Sequence, residues 1–247
     1  MSKVIEQFTK RADTYSSSAN WISDQKLIQT HIDAAGQQNS RKVLELCCGT
    51  GMVGRHFAIS GWQVCGIDLT RAMAEEANRF FPCICSPAEQ VPFLDSAFDV
   101  VVLRQAYFLL DDGQKVLREA HRVLKPGGVF VFSQTVPFSS EDTPWLDHIH
   151  RTKQAQLREF FTEENLRQQL ETEFFKVQEV RRLAVRENIT RWLAIAPELS
   201  ADKRAEVSDL IANAPEPYHS IHKVEVLDGE VLEDWNWVVF TAEKKPV

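Results

Sequence analysis

An apolar run that ends in a carboxylate and passes straight into a glycine turn leaves this chain few ways to fold. Val43-Leu44-Glu45-Leu46 is followed by Cys47-Cys48-Gly49-Thr50-Gly51, then by Val53, Phe57 and Ala58 at helical spacing. That order predicts a strand, a tight loop and a helix start. Glycine lets the backbone approach a ligand closely, and a helix N-terminus presents unpaired N–H groups to it. The loop predicts a ligand site at the end of a strand.

Strands and helices alternate around this loop from 41 to 136. Strands are predicted over about 42–46, 63–67, 82–85, 98–103 and 129–134. Helices are predicted over 51–60, 71–80 (with Thr70 as its cap) and 112–124, the last stopped by Lys125-Pro126-Gly127-Gly128. Phe98 to Leu103 is nearly all apolar, as in a strand covered on both faces. Such alternation predicts a parallel sheet with right-handed crossovers. Ligands in such sheets bind beyond the carboxyl ends of the strands, where Glu45, Asp68, Ala88-Glu89, Arg104 and Gln134 fall.

The flanks read differently. Residues 1–40 predict two helices, the second over about 20–35 and stopped by Gly36. From 137 the pattern is a loop to Trp145, then a polar segment with His148, His150 and Arg151. A helix over about 162–171, a strand over 174–183 and broken helices over 186–213 follow, with Pro215 and Pro217 ending the pattern. Asp228-Gly229 between two apolar runs predicts a hairpin, and the last strand is read at 235–242.

Bulk properties narrow the function. At 247 residues the chain is one large domain or a core with an added cap. The net charge of −7 argues against a general nucleic-acid binder. No apolar run is long enough for a bilayer span, and Met1 to Glu6 lacks a signal-peptide core, so the cytoplasm is the expected location. The five cysteines (Cys47, Cys48, Cys65, Cys83, Cys85) are odd in number and contain no Cys-x-x-Cys pair. Reduced thiols are expected, not a disulfide framework or a metal site.

Two ligands suit a glycine loop after a first strand: a dinucleotide and S-adenosylmethionine. Gly49, Gly51 and Gly54 have the dinucleotide spacing. A carboxylate at Glu45 is unwelcome beside a pyrophosphate, and Asp68 suits ribose hydroxyls in either case. The order of segments decides between them. Val43 to Gly51, Gly66-Ile67-Asp68-Leu69-Thr70 with Met73, Ala88-Glu89-Gln90-Val91-Pro92-Phe93, Phe98-Asp99-Val100-Val101 and Arg122-Val123-Leu124-Lys125-Pro126-Gly127-Gly128 stand in sequence. Together they resemble the class I S-adenosylmethionine-dependent methyltransferases, in particular the group of the ubiquinone/menaquinone-biosynthesis C-methyltransferases. The resemblance covers about 41–136.

The resemblance implies an α/β, Rossmann-like, seven-stranded and mostly parallel sheet with an antiparallel last strand, helices on both faces and a helical lid. It implies S-adenosylmethionine as cofactor. Glu45, Cys47, Gly49 and Gly51 would hold the methionine part, with Tyr15 and Arg11 closing over its carboxylate. Asp68 would take the ribose, Leu69 and Met73 would flank adenine, and Ala88 and Glu89 would lie at the adenine edge. Arg104 would stand near the methyl group and the acceptor. Three positions depart from the family pattern. Cys47 replaces the first glycine, Pro87 replaces the acid before Ala-Glu, and Gln105-Ala106-Tyr107-Phe108-Leu109 replaces a segment that usually carries a histidine.

These readings predict a lid over 1–40, a cofactor core over 41–183, an acceptor cap over 184–230 and a final strand over 231–247. The expected reaction is methyl transfer to an O or C atom of a small apolar or aromatic metabolite. His148, Tyr107 and Arg104 are the expected catalytic residues, with no metal. His150, Tyr15, His219 and His222 are further candidate bases, His219 and His222 expected at the surface. Trp192, Leu193, Ile195, Leu210, Ile211 and Tyr218 would line the acceptor pocket, form the cap's own core, or join two copies of the chain. A non-catalytic S-adenosylmethionine binder and an NAD-dependent oxidoreductase are the alternatives.

Overall fold

The computed structural model describes residues 3–38, 40–194 and 196–246; Ile195, expected in the acceptor pocket, lies outside the described residues. Before the sheet come α1 (Lys3–Arg11), α2 (Asn20–Ser23) and α3 (Gln25–Ala35). The alternating core is β1 (Lys42–Leu46), α4 (Met52–Ile59), β2 (Gln63–Asp68), α5 (Arg71–Ala77), β3 (Cys83–Cys85), β4 (Phe98–Arg104), α6 (Gly113–Val123) and β5 (Leu124–Thr135). Then follow α7 (Thr143–Lys153), α8 (Glu163–Thr172), β6 (Phe175–Asn188), α9 (Ile189–Ala194), α10 (Ala201–Ala212), α11 (Glu216–His222), β7 (Glu225–Leu227) and β8 (Glu230–Lys244).

The sheet order is β3-β2-β1-β4-β5-β8-β6. The first five strands pair in parallel, and β8 lies antiparallel between β5 and β6. This is the expected Rossmann-like sheet, with one short extra strand, β7, in the Asp228-Gly229 hairpin on β8. Both hairpin residues have positive φ, 52° and 81°, as a tight two-residue turn requires. Among the described residues no helix is long and apolar enough to cross a membrane.

Strand alternation divides the core into two layers. Val43, Val100, Val102, Val131 and Val239 face one cluster with Leu27, Val53 and Phe57 of the helices. Leu44, Val101, Leu103, Phe130 and Phe240 face the other, with Val116, Leu117, Ala120 and Leu166. The path of the chain reverses at β1, between β2 and β4, and the loops after β1 and β4 part there. That divergence opens the crevice in which such sheets bind ligands.

Several elements differ from expectation. The predicted helix over 20–35 breaks at Asp24, whose side chain accepts from the Leu27 N–H and so starts α3. α3 packs on the sheet: Leu27, Ile28 and Ala35 are buried, and His31 reaches Ser133 of β5 at 2.6 Å. Thr70 does not cap α5 with its side chain; its N–H instead donates to Asp68. The polar segment after Trp145 is helical, as α7. Pro215 and Pro217 do not end a helix but open α11, where a missing N–H costs nothing. β5 begins at Leu124 and takes in the predicted turn, and β6 runs on to Asn188.

Candidate functional site

The loop after β1 is a left-handed turn. Cys47, Gly49 and Gly51 have φ of 51°, 55° and 80°. The family's glycine at position 47 is thus explained by backbone, and a cysteine there accepts strain of ~1–2 kcal/mol. The Gly49 N–H donates to Asp68 Oδ2 at 2.8 Å, and the Thr70 N–H to Oδ1 at 2.8 Å. One carboxylate at the end of β2 therefore orders the loops after both β1 and β2. Burial raises the Asp68 carboxyl, and the two N–H groups draw it back.

Glu45 lies behind the loop. Its Oε2 accepts the Gly54 N–H at 2.8 Å. Glycine is required at 54, because a Cβ there would stand 2.5 Å from the Phe81 ring and 2.6 Å from Glu45 Oε2. Burial pushes the Glu45 carboxyl up to about 7, with Arg104 and the Gly54 N–H acting against it.

A cleft opens over this loop. Cys47 and Gly49 form its floor, Asp68 and Glu89 its acidic rim, and Leu69, Met73 and Ala88 an apolar slot. Tyr15 and Arg104 stand at its inner end. The structure thus brings together most of the residues expected to hold the cofactor. Phe8, Ala106, Leu109, Leu110 and Asp111 line it too, without having been expected there. Gly51 lies outside the lining, in the first turn of α4, where a Cβ would press on Phe81 at 3.0 Å.

A second, smaller cavity shares Phe8, Tyr15 and Gln105 with the first. Trp192 and Trp235 pack edge to face with centroids 4.9 Å apart. His150 sits 5.9 Å from the first and 5.7 Å from the second, and burial depresses its imidazole to about 3. Lys153 and Gln154 come from the end of α7, and Phe108 from the loop after β4. Trp192 lines this chamber as the cap reading expected, but Leu193, Ile211 and Tyr218 are packed into the core.

Five expected or candidate site residues stand away from the cleft. Arg11 lines the second chamber instead of the first and is paired with Glu198. His148 is exposed on α7 against Trp145 and lines neither cavity. Tyr107 is buried between Phe132 and Phe161, away from both. Its place is set by packing, and burial raises its phenol. His222, expected at the surface, is buried, with Nε2 2.9 Å from Asp142 Oδ2. His219 is half-buried against the Ile211 carbonyl.

Arg104 lines the cleft and has a structural task besides. Its guanidinium reaches the Trp21 and Ile22 carbonyls at 3.3–3.4 Å and lies 5.0 Å over the Trp21 ring. It holds the end of α2 while lining the cleft. All five cysteines are free, with Cys48 Sγ 3.3 Å from Cys83 Sγ.

The sequence profile of the methyltransferase domain family matches residues 44–132, from β1 into β5. The core of this chain is similar to a methyltransferase domain. It resembles the class I S-adenosylmethionine-dependent methyltransferases of the ubiquinone/menaquinone-biosynthesis group. A ubiquinone/menaquinone-biosynthesis C-methyltransferase of Desulfotalea psychrophila is 32% identical over 143 residues, covering 55% of this chain and 58% of its own length. A malonyl-[acyl-carrier protein] O-methyltransferase of Legionella pneumophila is 29% identical over 156 residues, covering 58% of this chain and 54% of its own. The chain thus spans just over half the length of these curated relatives. In fold it is similar to a putative methyltransferase from Bacillus halodurans, with a TM-score of 0.80, 23% identity, and 89% and 99% of the two chains covered.

Proposed function

We propose that this protein is an S-adenosylmethionine-dependent methyltransferase acting on an O or C atom of a small apolar or aromatic metabolite. The observation that carries this reading is the junction of the two cavities at Phe8, Tyr15 and Gln105. A donor cleft opens there onto an aromatic-lined chamber.

The cleft's own groups fit the cofactor. Asp68 has spent one lone pair of each oxygen on a backbone N–H, and a carboxylate has about four acceptor sites, so it can still receive two ribose hydroxyls. The apolar slot of Leu69, Met73 and Ala88 suits a purine, and Glu89 closes its edge. At Gly49 a Cβ would meet only Tyr15, at 3.5 Å, so the loop floor is open for backbone approach. Glu45 supplies a negative charge behind the loop for a positively charged methionine part. When bound, S-adenosylmethionine supplies an electrophilic sulfonium methyl group.

The protein's contribution is then orientation and exclusion of water. Gln105 is fixed at the junction: its N–H donates to the Ser133 carbonyl, its Oε1 accepts from the Thr135 N–H at 2.9 Å, and its Nε2 donates to Thr135 Oγ1 at 2.8 Å. Tyr15 packs edge to face on Phe8 and Trp21, which fixes its ring where the two cavities meet. Holding two reactants in line is worth up to ~7–11 kcal/mol in favourable systems.

A melting-temperature screen with S-adenosylmethionine, S-adenosylhomocysteine and NAD tests the donor. Stabilisation by the two sulfur ligands and not by NAD is expected, and the reverse pattern refutes the reading. Methyl transfer from labelled cofactor into a metabolite extract then tests catalysis. A protein that binds the cofactor yet labels nothing is the non-catalytic alternative.

A further inference from the structure

The second chamber holds a buried amine with no anionic partner. Lys153, in the last turn of α7, is only 7% exposed and lines the cavity. Among the described residues no carboxylate lies within 4 Å of its ammonium and no hydrogen bond reaches it. Its one close neighbour is the Trp192 ring, 4.0 Å from Nζ to the centroid. A buried lysine is rarely left unpaired, because the charge has lost its water without compensation.

The remaining charges facing this chamber do not supply the missing partner. Arg11 lines it as well and is paired with Glu198, which also accepts from Gln7 at 3.1 Å. Gln154 exchanges hydrogen bonds with Gln7 at 2.9 and 3.2 Å. Glu198 spends Oε1 on both Arg11 and Gln7, and its buried Oε2, without a hydrogen-bond partner, lies more than 4 Å from the Lys153 ammonium. Arg11 and Glu198 offset one another, Lys153 has no counter-charge, and the walls are aromatic: Trp192, Trp235, Phe8 and Phe108.

We propose that this chamber selects a planar aromatic acceptor bearing an anionic group, and that Lys153 is the residue that receives the anion. This rests on the methyltransferase reading above. The ring stacks among Trp192, Trp235 and Phe108, and the anion takes the place that no protein carboxylate fills. A charge-assisted hydrogen bond to an ammonium is among the strong ones. A site that gains positive charge at Lys153 only with a bound anion does not favour protonated amines, which aromatic walls alone would attract. Burial and the nearby Arg11 hold the Lys153 amine well below its usual range. Anion binding restores the charge, so complex formation is accompanied by proton uptake.

Calorimetry on the full chain saturated with S-adenosylhomocysteine tests the assignment, with 4-hydroxybenzoate, phenyl phosphate and the neutral analogue p-cresol as probes. At least one anion is expected to bind about tenfold or more tighter than p-cresol, with proton uptake visible as a dependence of the heat on buffer. The tighter of the two anions identifies a carboxylate or a phosphate as the recognised group. Lys153→Met should abolish the preference, and Lys153→Arg should keep it; melting temperature and S-adenosylhomocysteine affinity report that each variant is folded. Equal affinity for p-cresol, absence of binding by both anions, or a preference that survives Lys153→Met overturns the proposal. If S-adenosylhomocysteine itself does not bind, the donor reading falls and this one with it.

Discussion

Replacing Glu45 by glutamine should stabilise the ligand-free protein at pH 8 and leave it nearly unchanged at pH 5. Burial raises the carboxyl from 4.5 to about 7. A carboxyl raised on folding is protonated in both states below 4.5. Between 4.5 and about 7 only the unfolded chain ionises, so stability is lost as pH rises, and above about 7 the loss is complete. At about 1.4 kcal/mol per pH unit the full cost is roughly 3 kcal/mol. Glutamine keeps an oxygen for the Gly54 N–H but carries no charge, and any fixed cost of its amide is the same at both pH values. The gain of Glu45→Gln over wild type, measured by urea unfolding from pH 5 to 8, should therefore grow by about 2–3 kcal/mol. The bound state reverses the sign. If the carboxylate faces a positive donor group, wild-type affinity for S-adenosylhomocysteine rises with pH through about 7, while the variant's is flat. A stability difference that is constant from pH 5 to 8 refutes the argument.

Two further substitutions test the loop. Gly54→Ala puts a Cβ 2.5 Å from Phe81 and 2.6 Å from Glu45 Oε2; overpacking of this kind costs ~1–3 kcal/mol, and thermal unfolding should show it together with weaker S-adenosylhomocysteine binding. Asp68→Ala frees two buried N–H groups at about 1–3 kcal/mol each, whereas Asp68→Asn keeps one acceptor. Asp68→Asn should melt closer to wild type than Asp68→Ala while still binding S-adenosylhomocysteine at least about tenfold more weakly; unchanged affinity by calorimetry means the ribose is not bound there.

The parallel core is legible because its signals are local. Apolar runs, glycine turns and strand-end carboxylates are each read within ten residues. The outer strands extend further than their apolar runs because their ends are polar and held by side chains. Arg186 and Asp234 pair across β6 and β8 at 3.2 Å, and Glu187 serves α2, so neither stretch reads as strand. Pro215 and Pro217 act as a helix start, which the same residues in a stop position would mimic. In the site, Asp68, Gly49, Leu69, Met73, Ala88 and Glu89 are legible because strand ends converge. The second chamber draws on α1, α7, α9 and β8, and no local pattern joins those. One signal was present: Leu146, Ile149, His150 and Lys153 follow the i, i+3, i+4, i+7 spacing of one helix face. That spacing turns His150 and Lys153 inward and His148 outward, as observed.

The two chambers meet where they do because α2 is placed by charges from the sheet. Four residues are too few for a helix to hold itself. Glu187 of β6 accepts the Asn20 and Trp21 N–H groups at 2.9 and 2.6 Å, at the N-terminal end where a negative charge is favoured. Arg104 of β4 takes the Trp21 and Ile22 carbonyls at the other end. The cost is visible in Glu187, whose carboxyl burial pushes up to about 7. What this secures is the indole of Trp21, set against Trp237 at 5.1 Å and Tyr15 at 6.3 Å. The placing of Trp21 and Tyr15 at the meeting of the two cavities is therefore a consequence of where β4 and β6 end. Arg104 and Glu187 act through Trp21, so substitutions at either should move the geometry of both cavities together.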